Sequence, residues 1–222
     1  MPKGPRNGVN MEEGVIKFRL QFTEIAPVEM EALAELNRWR NILWQHALIG
    51  NDPARYDGYD FGNVSQRSSD FDAPPGKRPF IISGTQTGHL AVLDSRHYAR
   101  VMNYDVVRNT VVAAGPVKPS SESLTHGILY DLDDGIRVVL HVHSPDIWQS
   151  AGRPGLPATA REAAYGTPQM AAEVRRLFSE TDMRERKLFA MGGHEDGVVS
   201  FGKTAEEAGD TLLRALDDCR KQ

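Results

Sequence analysis

Val138-Val139-Leu140-His141-Val142-His143-Ser144 is the stretch on which the fold and chemistry of this chain turn. Branched aliphatics surround two histidines at i and i+2, the pattern of a strand buried on both faces. Strand side chains alternate, so His141 and His143 project from one face while Val142 points to the other. Two imidazoles side by side on a rigid element are half or more of a zinc site. The alternative is a pair of core histidines satisfied by buried polar neighbours, since an imidazole in an apolar strand needs a partner.

A third histidine, His194, stands in Met191-Gly192-Gly193-His194-Glu195-Asp196-Gly197, where glycines let backbone approach closely. Upstream, Pro119-Ser120-Ser121-Glu122 sets an acid among turn residues and hydroxyls. Three neutral ligands with one carboxylate nearby suit a catalytic site more than a structural one. His46, His89, His97 and His126 have no comparable spacing, and His46 falls in a helical pattern and reads as structural.

Composition bounds the function. The 222 residues suffice for one sizeable core, with a Gly/Pro-rich disordered leader expected over 1–12 and a single domain over 13–222. Charged residues at 25% and hydrophobic ones at 40% are ordinary for a soluble protein. A net charge of -4 offers no basic footprint for nucleic acid. No run of 18 apolar residues exists to span a membrane. Met1-Pro2-Lys3-Gly4-Pro5-Arg6-Asn7-Gly8 lacks the apolar core of a signal peptide, so the expected compartment is the cytoplasm. A single cysteine, Cys219, excludes an internal disulfide and a cysteine-rich zinc module.

Periodicity predicts the elements. Ile16, Phe18, Leu20 and Phe22 alternate with polar residues as a short strand. Met30, Leu33, Leu36, Trp39, Leu43 and Ala47 predict a helix over 27–49, opened by Pro27 and closed by Gly50. Strands are expected at 79–83, 104–114, 136–144, 187–191 and 197–201, with a polar loop over 68–78. Helices are expected at 94–99, 124–131, 167–178 and 204–219, and Asp133-Asp134-Gly135 reads as a hairpin turn. Thr167 with Pro168 and Thr204 with Glu207 supply helix starts. Helices flanking a mostly antiparallel sheet make a three-layer α/β/α sandwich the expected fold, without internal repeats.

In order along the chain, Gly62-Asn63-Val64-Ser65, Thr87-Gly88, Pro119-Ser120-Ser121-Glu122, His141-Val142-His143-Ser144, Tyr165-Gly166-Thr167 and Gly193-His194-Glu195-Asp196-Gly197 resemble the class II aldolase/adducin family, of the zinc-dependent fuculose-phosphate-aldolase type. Each motif alone is weak, but their order and spacing hold from about residue 27 to 216. The resemblance implies that α/β/α sandwich, a homotetramer with sites between subunits, and a sugar-phosphate substrate. It implies Zn2+, or a divalent ion such as Mn2+ or Co2+, on His141, His143 and His194, with Glu122 as catalytic carboxylate. It also implies a phosphate pocket from Asn63, Thr87, Gly88, Ser120 and Ser121, with Ser83-Gly84 as an alternative to Thr87-Gly88.

The chemistry agrees with that mapping. Breaking a bond beside a carbonyl builds charge on an enediolate oxygen, which a Lewis acid stabilises. A carboxylate moving protons contributes about 10²–10⁴-fold. Hydroxyls and amides suit a phosphate dianion without arginine, although Ser120-Ser121 on its own also reads as a solvated turn.

Two departures bear on the reaction. The family's aldolases carry a tyrosine shortly before the Gly-Thr pair, where this chain has Glu162, with Tyr165 close by. They also carry a tyrosine in a C-terminal tail, where this chain reads Asp217-Asp218-Cys219-Arg220-Lys221-Gln222. The expected function is therefore a zinc lyase acting on a ketose 1-phosphate to give dihydroxyacetone phosphate and an aldehyde. The alternatives are an epimerase or dehydratase of the same family, or a non-catalytic adducin-like domain. The family's epimerases usually carry aspartate where this chain has Glu122. Trp148, Arg153 and Arg161, in the 145–165 loop expected to read the aldehyde end, are either specificity residues or ordinary surface.

Overall fold

The computed structural model describes residues 15–27, 29–68, 71–151 and 155–221. The expected leader over 1–12, and Arg153, lie outside these residues. Strand β1 (Arg19–Glu24) is followed by helix α1 (Ala34–Gln45), a short hairpin β2 (Gly50–Asn51) and β3 (Asp60–Phe61), then β4 (Asn63–Arg67) and β5 (Phe80–Ser83). Next come β6 (Tyr98–Asp105), β7 (Thr110–Gly115), α2 (Ser123–Leu132), β8 (Val138–His143) and α3 (Pro145–Gln149). The remaining elements are α4 (Pro168–Glu180), α5 (Met183–Arg186), β9 (Leu188–Ala190), β10 (Gly197–Gly202) and α6 (Ala205–Arg220).

Among the described residues, eight strands form one sheet in the order β1-β7-β6-β5-β4-β8-β10-β9. Among the described strands, β1 alone pairs in parallel, along β7; the other ladders are antiparallel, as expected. Alternation along each strand divides the interior into two cores. Val139, Phe80, Ile82, Val199 and Phe201 pack under α2 and α4. Val138, Leu140, Val142, Ile81 and Val198 pack under α1, α3 and α6. That division is the α/β/α sandwich, with His141 and His143 on the face covered by α2 and α4.

The caps on α4 and α6 form as the sequence predicts. Thr167 accepts from the Met170 amide and Thr204 from the Glu207 amide, satisfying donors that would otherwise be orphaned. Differences occur where local pattern and context disagree. The helix expected over 27–49 spans only 34–45 after a 3₁₀ turn, and its C-terminus closes when the Leu48 amide returns to the Leu43 carbonyl across left-handed Ala47. Gly50 instead opens β2.

The helix expected at 94–99 is a 3₁₀ turn, Ser95–His97, capped by Asp94 and followed by β6. The strand expected at 104–114 is two strands, β6 and β7, around a turn in which Asn109 takes φ +53. Val106 and Val107 disguise that turn in the sequence. Asp133-Asp134-Gly135 is a turn, with Asp133 Oδ1 accepting from the Gly135 amide at 2.7 Å, but it joins α2 to β8 rather than two strands.

Candidate metal centre and anion cleft

β8 presents His141 and His143 on one face, and the loop between β9 and β10 brings His194 to them. Paired strands flank both residues, with Asn63 and Val199 opposite His141 and Gly197 opposite His143. A Cβ on Gly197 would stand 3.2 Å from His194 Cγ and 3.3 Å from His141 Cε1, so glycine there leaves room for the rings. Gly193 is needed for a second reason: a Cβ would lie 2.1 Å from the Ala163 carbonyl oxygen, and this close approach seats the loop carrying His194.

The three imidazoles are 1–2% exposed, and their ligand atoms lie within 4.8 Å of one another. Ring centroids are 5.1 Å apart for His141–His143, 5.1 Å for His141–His194 and 4.7 Å for His143–His194. Burial, then the charges of His194, His141 and Arg55, push His143 well below the usual histidine range. It is therefore a neutral imidazole, the ligand form. The Val198 carbonyl can only accept, so the 3.3 Å contact with His141 Nδ1 puts the proton there and leaves Nε2 as donor atom. Three converging nitrogen donors of this kind fit a zinc-class ion.

Glu122, 1% exposed at the start of α2, brings Oε1 to 3.2 Å from His194 Nδ1. Burial raises its pKa, but His194, followed by the charges of His141 and His126, outweighs burial and lowers it to about 2. Glu122 is thus a carboxylate at neutral pH. One helical turn further along, His126 is fully buried with Nδ1 2.6 Å from Ser65 Oγ, which in turn lies 2.6 Å from the Tyr130 hydroxyl. Sequence reading passed over His126, yet the i+4 spacing from Glu122 on a helix was a usable signal.

The expected anion-binding residues also converge. Asn63, Thr87, Gly88, Ser120 and Ser121 line one cleft. The 84–88 loop is held beside 118–121 by the Thr85 amide donating to the Lys118 carbonyl at 3.1 Å and by a bridge between Gly84 and Pro119. Gly84 lines the same cleft, while the hydroxyl of Ser83 is occupied by the Val64 amide at 3.1 Å. Thr87 and Gly84 are joined, with the Thr87 hydroxyl donating to the Gly84 carbonyl at 2.8 Å.

Sequence reasoning missed a group on the far side of the triad. The Tyr56 ring stands edge-on to His143 at 4.6 Å, and its hydroxyl donates to Asp196 Oδ2 at 2.6 Å. Arg55 Nη2 donates to the same oxygen at 2.8 Å and also to the Tyr56 hydroxyl. Tyr56, Asp57 and Asp196 all have φ between +51 and +60, conformations that non-glycine residues hold only where surroundings impose them.

Tyr165 is buried with its ring 4.6 Å from that of His194, and Lys17 Nζ lies 3.5 Å from the Tyr165 ring centroid. Of the aldehyde-end candidates, Trp148 donates from Nε1 to the Met191 carbonyl at 2.9 Å, a structural use. Arg161 and Glu162 are exposed.

The model of the Class II Aldolase and Adducin N-terminal domain matches residues 54–221. The chain belongs to that family. An L-fuculose 1-phosphate aldolase structure is 19% identical with a TM-score of 0.63, covering 88% of this chain and 85% of its own. The l-fuculose-1-phosphate aldolase of Thermus thermophilus is 17% identical, TM-score 0.59, covering 86% and 92%. YgbL from Escherichia coli, whose description offers aldolase, epimerase and decarboxylase as alternatives, is 17% identical with a TM-score of 0.60, covering 86% and 87%. These likenesses establish the fold. No curated protein matches the chain in sequence. Among the described residues, no helix is long and apolar enough to cross a membrane.

Proposed function

We propose that this chain is a zinc-dependent aldehyde-lyase that cleaves or forms the carbon–carbon bond of a ketose 1-phosphate, with dihydroxyacetone phosphate and an aldehyde as the products. The observation that carries this reading is the convergence of His141, His143 and His194 with Glu122, next to a polar cleft. A divalent ion on the three histidines supplies a Lewis acid for the charge that develops beside a carbonyl.

Glu122, held ionised, takes a proton from the carbon next to that carbonyl in the aldol direction and returns it in cleavage. Ser120, Ser121, Asn63 and the Thr87–Gly88 loop bind the phosphate with hydroxyls, amide and backbone donors. Burial of Glu122 and the imidazoles excludes bulk water from the reacting atoms. The catalytic form is proposed to be a cytoplasmic homotetramer, with sites completed between subunits.

An epimerase or dehydratase would reuse the same metal and phosphate residues, and the alternatives named for YgbL favour keeping that second reading. An adducin-like binding role leaves three buried, converging imidazoles and an ionised Glu122 without a use. The deciding experiment incubates zinc-loaded protein with phosphorylated and unphosphorylated pentuloses and hexuloses and identifies the products. Aldehyde plus dihydroxyacetone phosphate supports the lyase. An epimer or a dehydrated ketone replaces it with the second reading.

A further inference from the structure

Among the described residues, the wall of the anion cleft contains no lysine or arginine, and it does contain a carboxylate, Asp60. Beneath the same loop lies Arg40, on α1, at 1% exposure. Its guanidinium donates only to backbone carbonyls: Nη1 to Ala91 at 3.0 Å, and Nη2 to Thr87 at 3.0 Å and to Gly88 at 3.1 Å. Among the described residues no carboxylate bonds to it. Asp60 is the acid within its electrostatic reach, but both Asp60 oxygens are turned elsewhere, Oδ1 to Asn51 Nδ2 at 2.9 Å and Oδ2 to His89 Nδ1 at 2.6 Å. A buried guanidinium stays charged and normally finds a directly bonded anion, because leaving a charge unmatched in the interior is costly.

Peptide geometry shows where that anion belongs. In a trans peptide the carbonyl of one residue and the amide of the next point in opposite directions. Drawing the Thr87 and Gly88 carbonyls onto Arg40 therefore turns the Gly88 and His89 amides away from it. Neither amide donates to an acceptor among the described residues. Thr87 and Gly88 are at the same time cleft residues, so one loop separates the buried cation from the cleft.

We propose that Arg40 is the buried countercharge of the anion cleft, bracing the Thr87–Gly88 loop through its carbonyls and supplying positive potential to a phosphate-class dianion that it does not touch. The inference rests on the phosphate reading of the cleft given above. Arg40 is a positioning residue, and it explains how a cleft walled by hydroxyls, amides and one already-engaged carboxylate holds a dianion.

Inorganic phosphate, titrated calorimetrically into the zinc-loaded wild type, Arg40→Met and Arg40→Lys at one ionic strength, tests it, with zinc affinity measured in each. A unit charge one loop away is expected to contribute about tenfold in affinity. The expected result is phosphate binding weakened about tenfold or more in Arg40→Met and within about threefold in Arg40→Lys, with zinc affinity unchanged. Equal phosphate affinity in wild type and Arg40→Met overturns the inference. If Arg40→Met does not fold, Arg40→Lys decides, since it keeps the charge while losing part of the carbonyl bracing: a tenfold loss there overturns a role for the charge, and retention supports it. A wild type that binds zinc but no phosphate overturns the phosphate reading itself.

Discussion

The Tyr56 hydroxyl donates to Asp196 Oδ2 at 2.6 Å, joining residues 140 positions apart on either side of the histidine triad. Asp196 follows His194 by two residues, and the Tyr56 ring packs on His143, so one contact ties two candidate ligands to the loop between β2 and β3. Partners that orient metal ligands commonly contribute 10–100-fold in metal affinity. Tyr56→Phe keeps the ring and removes the hydrogen bond. The expected outcome is roughly tenfold weaker zinc binding in a chelator competition, with little change in melting temperature. Unaltered zinc affinity would show that the contact serves the loop alone.

Removing one imidazole tests the centre directly. His141→Ala is expected to take zinc content, measured by elemental analysis of dialysed protein, from one ion per chain to near zero. Chelator treatment of the wild type should abolish turnover, with recovery on adding Zn2+, Mn2+ or Co2+. Full zinc loading in His141→Ala would remove the basis for the site.

Glu122→Gln separates proton transfer from metal binding. Loss of a general base is expected to lower kcat by about 10²–10⁴-fold, with zinc stoichiometry retained. A variant with wild-type kcat would exclude Glu122 as the proton-moving group.

His126 predicts a pH dependence of stability. Burial, and then the charge of His141, lowers its pKa to about 3, although Glu122 acts in the opposite direction. The unfolded chain takes up this proton near pH 6.5 and the folded chain only near 3. The contribution is therefore fully present above pH 6.5 and is lost as pH falls from 6.5 towards 3, by at most ~5 kcal/mol. Chemical denaturation across that range should show a shallower acid decline for His126→Gln than for the wild type. Parallel curves would assign the acid sensitivity to other groups.

Much of the site was legible because its parts are local. The alternation that places His141 and His143 on one face is a property of any strand, and the caps at Thr167 and Thr204 need only their own first turns. Glu122 and the two serines are three consecutive residues. His126 was one step from legible, since α2 brings i and i+4 together. The parallel pairing of β1 with β7 was not, because an alternating strand carries no mark of its partner.

The sequence by itself determined most of the longer helices and strands, the shared face of His141 and His143, the carboxylate loop and the family resemblance, all set by periodicity or by motifs a few residues long. Only the tertiary structure decided that Arg55 and Tyr56 close on Asp196, that Lys17 covers Tyr165 beside His194, and that Arg40 lies under the cleft loop. Those contacts join residues far apart in the chain, and which of them form depends on how two helical layers pack against one sheet. No local spacing records that choice.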